Sequence, residues 1–85
     1  MGKYRIEVKK SAEKELRKIP GKELARILDR ISLLSDDPHP NGSIKLTNKE
    51  WYRLRVGNYR VLYSVEEHIL TVYVVKVGHR KDIYR

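Results

Sequence analysis

Arg53, Arg55 and Arg60 are the residues whose type and spacing could do chemistry, in the run Arg53-Leu54-Arg55-Val56-Gly57-Asn58-Tyr59-Arg60. Guanidinium groups bind phosphate oxygens in bidentate fashion and carry a permanent charge. A set of them could hold a phosphodiester and stabilise the charge that develops on a pentavalent phosphorus. Removing one such preorganised donor typically costs ~10²–10³ in rate. Arginine is a poor general base, so proton transfer would fall to another group. Tyrosine can take part in that step or stack on a base.

Most other site chemistries are missing their residues. The chain has no cysteine, hence no disulfide and no thiolate nucleophile. His39, His68 and His79 lack metal-ligand spacing and read as surface residues. No serine sits in a nucleophile elbow, and no glycine loop could cradle a nucleotide. The adjacent carboxylates Asp36-Asp37 and Glu66-Glu67 read as solvated turn residues. Neither a metal nor a cofactor is expected.

The elements that must position the arginines follow from periodicity. Residues 3–9 alternate, with Tyr4, Ile6 and Val8 on one face, as a half-buried strand does. Ser11 suits a helix N-cap, and Ala12, Leu16 and Ile19 follow at helical spacing. Pro20-Gly21 breaks that helix, and a second starts there. Leu24, Ile27, Leu28, Ile31 and Leu34 give it an apolar stripe, and Asp36-Asp37-Pro38 ends it. Residues 51–56 and 59–65 alternate as strands around Gly57-Asn58, a hairpin turn of the glycine-first kind. Residues 69–77 are almost continuously β-branched or apolar, as in a central strand. The expected fold is α+β, with an antiparallel sheet of about four strands and an N-terminal helical hairpin on one face.

This arrangement sends Tyr52, Leu54, Val56, Val61, Tyr63 and Val65 toward the helices. Trp51, Arg53, Arg55, Arg60 and Leu62 go to the opposite, open face. Three like charges so close repel one another, and an anion would offset that. The competing reading, an ordinary solvated sheet face, is the less favoured of the two.

Eighty-five residues make one domain, 1–85. A core drawn from 40% apolar residues is modest, and a binding partner would stabilise it by mass action. The net charge of +8 is unevenly spread. Residues 11–44 are neutral overall, so the whole excess lies in residues 1–10 and 45–85. A localised basic excess suits a polyanionic partner. The N-terminus lacks the apolar run of a signal peptide. Residues 69–77 are too few to span a bilayer. The expectation is a cytoplasmic protein with no membrane contact.

The chain also resembles the RelE/ParE superfamily of toxins. The residues that carry the resemblance are Trp51-Tyr52-Arg53-Leu54-Arg55-Val56-Gly57-Asn58-Tyr59-Arg60-Val61-Leu62-Tyr63 and the later Gly78-His79-Arg80-Lys81-Asp82-Ile83-Tyr84. The pair of patterns R-x-R-x-G-x-Y-R and G-H-R-x-x-x-Y is specific for the superfamily more than for one branch. The resemblance implies a RelE-like fold and a toxin of a type II toxin–antitoxin pair. RelE-like members are endoribonucleases that cut mRNA in the ribosomal A site; ParE-like members share the fold and inhibit DNA gyrase. Both are neutralised by an antitoxin, here expected to be acidic, and contact operator DNA only through it.

By the same resemblance, Arg60, Arg80 and Tyr84 are the candidate catalytic residues. Arg53, Arg55, Lys76, His79 and Lys81 are the candidate substrate-binding residues. Well-known bacterial members carry lysines where this chain has Arg53 and Arg55, and the interval from Arg80 to Tyr84 is short. The RelE-like branch, a metal-independent RNase, is favoured. The alternatives are a gyrase-binding toxin and a basic RNA-binding module without toxicity.

Overall fold

The computed structural model describes residues 2–47 and 50–79. The elements run β1 (Arg5–Val8), α1 (Lys10–Arg17), α2 (Gly21–Leu33), β2 (Ser43–Lys45), β3 (Tyr52–Val56), β4 (Tyr59–Glu66), a 3-10 turn (Glu67–Ile69) and β5 (Thr71–His79). The strands form one sheet in the order β1-β5-β4-β3-β2. The fold is α+β with both helices on one sheet face, as the periodicity implies. The sheet has five strands, one more than expected, because the short edge strand β2 pairs with β3. It is also mixed: β1 runs parallel to β5, with Arg5 opposite Thr71 and Val8 opposite Val74. Sequence alternation marks β1 as a strand but carries no information about so distant a partner.

The helices sit where their apolar stripes place them. Ala12, Leu16 and Ile19 from the α1 segment and Ile27, Ile31 and Leu34 from the α2 segment are buried. They meet Leu54, Val56, Val61, Tyr63, Val72, Val74 and Val77 from the sheet. Truncating a fully buried aliphatic side chain such as Ile27 costs about 2–5 kcal/mol. Leu28, read as part of the α2 stripe, is 47% exposed. The buried residues of α2 thus occupy a narrower stripe than the sequence pattern. α1 starts one residue before the expected cap: Lys10 is already helical and Lys9, not Ser11, stands at the N-cap. The Glu13 N–H bonds to the Lys9 carbonyl at 2.9 Å, so the backbone closes the first turn without a side-chain cap.

Beyond β2, the α2–β2 loop is tied to the core through Tyr63. Its ring is fully buried and its hydroxyl donates to the Pro38 carbonyl at 2.8 Å. Tyr52 stacks on Tyr63 at 5.7 Å, and His39 meets Tyr52 edge-on at 4.8 Å. His39 also faces Glu67 at 3.5 Å, and Glu67 accepts from Tyr4 at 2.8 Å. Among the described residues no helix is long and apolar enough to cross a membrane.

Candidate nucleic-acid interface

The β3–β4 hairpin fixes the positions of the three arginines. Gly57 takes φ +60 and occupies, with Asn58, the two-residue loop between the paired residues Val56 and Tyr59. A positive φ at the first loop residue is the glycine-first turn that suits the twist of paired strands. It brings Arg55 directly opposite Arg60 and sets Arg53 opposite Leu62. On the other side of β4, Arg60 faces Gly78 and Leu62 faces Lys76. Two rows therefore cross the open face, Gly78–Arg60–Arg55 and Lys76–Leu62–Arg53. Neighbouring strands lie ~4.8 Å apart and alternate residues ~7 Å along a strand, so the cationic patch spans roughly 10 Å by 7 Å. That is the scale of a dinucleotide with its bridging phosphate.

The rest of the open face carries no net positive charge. The row beyond holds Glu7 and Tyr73 opposite Ser64, and the next holds Arg5 and Thr71 opposite Glu66. Positive charge is thus concentrated at the hairpin end of the sheet.

Two features distinguish this patch from a row of solvated side chains. Leu62 points away from the helices yet is only 3% exposed. It forms an apolar floor within the ring of Arg53, Arg60 and Lys76, whose stems can cover it. Arg60, read from the sequence as an exposed residue, is half-buried. Its Nε and Nη1 are shielded from solvent, and neither has a hydrogen-bond partner among the described residues. A shielded cationic donor without an acceptor is unfavourable. Repulsion from Arg55 across the strand pair adds to the cost. An oxyanion laid over the Gly78–Arg60–Arg55 row would relieve both, and Gly78 places no side chain in its way.

The other candidate residues divide. Lys76 stands on the arginine face beside Leu62. His79 does not: it pairs with Tyr59 in register, and their rings meet edge-on at 5.5 Å on the helix side of the sheet. Arg80, Lys81 and Tyr84 lie outside the described residues. Sequence reasoning did not single out Glu15. Its Oε1 accepts a hydrogen bond from the Val77 N–H at 3.0 Å and so holds the end of β5 next to Gly78. No motif announces that contact; it depends on how α1 packs along β5. Among the described residues no cluster of histidine and carboxylate side chains could hold a metal.

A helical hairpin on one side of a small sheet, with a compact cationic patch on the other, defines a small α+β domain with one basic face. A sequence model of the family described as the ParE toxin of type II toxin–antitoxin systems, parDE, matches residues 6–84. The toxin RelG of Mycobacterium tuberculosis is 31% identical over 84 residues, covering 96% of this chain and 97% of its own. The toxin–antitoxin complex RelBE2 of the same organism superposes with a TM-score of 0.83 at 28% identity, covering 96% of this chain and 97% of that one. The archaeal RelE–RelB complex of Pyrococcus horikoshii gives a TM-score of 0.80 at 28% identity, covering 94% and 98%. The chain belongs to the RelE/ParE family and is a toxin of the type II toxin–antitoxin class.

Proposed function

We propose that this toxin is a ribosome-dependent, metal-independent endoribonuclease that cuts mRNA in the A site. The observation that carries the reading is Arg60, a shielded guanidinium that lacks an acceptor at Nε and Nη1 among the described residues, set beside Arg55 and over Gly78. In the proposed reaction the ribose 2′-oxygen attacks the adjacent phosphorus. Its proton passes to a base, the bond to the 5′-oxygen breaks, and that oxygen takes up a proton. The products are a 2′,3′-cyclic phosphate and a 5′-hydroxyl. Arg60 stabilises the charge on the non-bridging oxygens. Arg53, Arg55 and Lys76 position the backbone on either side. Arg80 and Tyr84 take the roles that the family resemblance gives them, a second charge stabiliser and a stacking or proton-transferring group.

The RelE–RelB and RelBE2 structures are complexes with antitoxins. By analogy, this chain binds an acidic antitoxin that covers or distorts the cationic patch and supplies all contact with operator DNA. A ribosomal target places its action in the cytoplasm. The test is mRNA cleavage on programmed ribosomes by wild type, Arg60→Ala and Arg80→Ala proteins, with circular dichroism as the folding control. Cleavage by wild type and loss in both variants supports the reading; full cleavage by the folded variants removes it.

A second reading has its own support, since the matching family model is that of ParE. A wild type that leaves mRNA intact on ribosomes but blocks gyrase supercoiling would establish this alternative. Co-expression with the neighbouring reading frame tests the partner: a cognate antitoxin raises the melting temperature of the toxin, because it binds the folded state.

A further inference from the structure

The C-terminal half of β5 runs past the end of β1, leaving one strand edge bordered by a helix instead of a strand. α1 lies along it. Between them is a groove of about 390 Å³ that Lys14, Lys18 and Lys76 help to line. It shares Glu15 and Lys18 with a second hollow of about 320 Å³, bounded by Tyr59, Gly78 and His79. The two hollows make one channel that starts among lysines and ends at the Tyr59–His79 ring pair. Gly78 borders its far end and also faces Arg60 across the strand pair, so the channel meets the cationic patch at the sheet edge.

We propose that this channel is a second nucleic-acid subsite, which holds the single-stranded RNA flanking the segment on the arginine face. The inference rests on the RNA-cleaving reading and extends it to the path of the strand. Lys14 and Lys18 are one helical turn apart on an exposed face, an unfavourable like-charge spacing. None of Lys14, Lys18 and Lys76 is paired with a carboxylate among the described residues. Glu15 lines both hollows, and its carboxylate is engaged by the Val77 N–H. Successive lysines a helical turn apart are ~6 Å apart along the axis, comparable with the step between consecutive phosphates of a strand. The Tyr59–His79 pair adds flat rings, and rings beside cationic stems are what unstacked bases bind.

A protein occupant fits less well. Interfaces between proteins need an apolar centre and are depleted in lysine. Here the aliphatic lining is limited to Val75 and the buried flanks of Ile19 and Val77.

The experiment is fluorescence anisotropy with labelled 2′-O-methyl RNA, which binds but cannot undergo 2′-attack. One oligonucleotide is about four nucleotides long and fits the arginine face alone; the other is about twelve and can reach the channel. The wild type is compared with Lys14→Ala/Lys18→Ala and with Arg53→Ala/Arg55→Ala. Both lysines are exposed, so the first variant keeps its fold, which circular dichroism checks.

The expected result is a loss of about tenfold in affinity for the long RNA in the lysine variant, with its salt slope lower by about 1.4. Binding of the short RNA stays unchanged. The arginine variant loses both. Equal loss for both lengths, or no loss for the long RNA, overturns the channel while leaving the arginine face intact. No binding of either RNA by the wild type overturns both. Loss of binding to an acidic peptide in place of the long RNA would assign the channel to a protein instead.

Discussion

The Glu15 carboxylate accepts the Val77 N–H at 3.0 Å across 62 residues of sequence, closing a strand edge that no other strand covers among the described residues. β5 is partnered by β1 only as far as Val74, where the Lys9 N–H takes the carbonyl. Beyond that point its outward backbone groups need other partners, and a helix supplies one. Replacing the carboxylate therefore exposes an unpaired N–H next to the cationic patch. Glu15→Ala is expected to cost about 1–2 kcal/mol, while Glu15→Gln, which keeps an acceptor oxygen, recovers at least half of it. Urea midpoints measure the stability, and hydrogen exchange at the Val77 amide reports the bond itself. An Ala variant with wild-type stability and unchanged exchange would show that water replaces the carboxylate at no cost.

Arg60→Met separates stability from function. The substitution keeps an unbranched apolar stem and removes the donors at Nε and Nη1 that have no partner among the described residues. It also ends the repulsion from Arg55. The variant should be at least as stable as the wild type, yet cleave mRNA ~10² slower or worse. A melting temperature well below that of the wild type would mean that the guanidinium is satisfied in solution.

Tyr63 gives the protein an alkaline limit. Burial pushes its phenol above the ordinary tyrosine range; interaction with the Ser43 side chain opposes the rise, and Tyr52 and Asp37 add to it. The folded chain thus holds this proton more tightly than the unfolded chain. Stability from this group is complete below about pH 10 and is lost as pH climbs from there through the raised folded value. Melting temperatures measured upward from neutral pH should fall more steeply for the wild type than for Tyr63→Phe. At pH 7 the Phe variant should be weaker by about 1–3 kcal/mol, because the buried Pro38 carbonyl loses its donor. Parallel curves for the two proteins would disprove the assignment.

RNA affinity should depend steeply on salt. Each lysine or arginine contact to a single strand contributes about 0.7 to the slope of log K against log salt. Arg53→Gln with Arg55→Gln should lower that slope by about 1.4 while leaving the fold intact. A slope that does not change would place the RNA elsewhere on the molecule.

Much of this architecture was legible in the sequence because the relevant signals are local. Gly57-Asn58 fixed the hairpin register, and period-two alternation then put Arg53, Arg55 and Arg60 on one face. β5 was harder to read. Val72, Val74, Val75 and Val77 are all valine, so polarity marks no face along that strand. The register shift opposite Leu62 and Tyr63 inserts an extra residue that composition cannot reveal. His79, a candidate substrate-binding residue in the sequence, consequently pairs with Tyr59 on the helix side. β2 escaped notice because three residues, Ser43, Ile44 and Lys45, are too few to show a period. Glu15 escaped for a different reason: a helix carboxylate that serves a distant strand looks like any solvated glutamate. The half-burial of Arg60 has no signature in its own neighbourhood.

The parallel pairing of β1 with β5 also sets when the molecule can exist. Arg5 is made early but must wait for Thr71 before it has a partner. At ~5–20 residues per second, synthesis separates the two by roughly 3–13 s. During that interval the nascent chain lacks the strand that carries Lys76 and Gly78. It cannot assemble the patch around Arg60 or close the edge with Glu15. Pairings this distant in sequence also slow the final folding step relative to a locally connected domain. The patch around Arg60 is therefore a late feature of each polypeptide, complete only once β5 has been made.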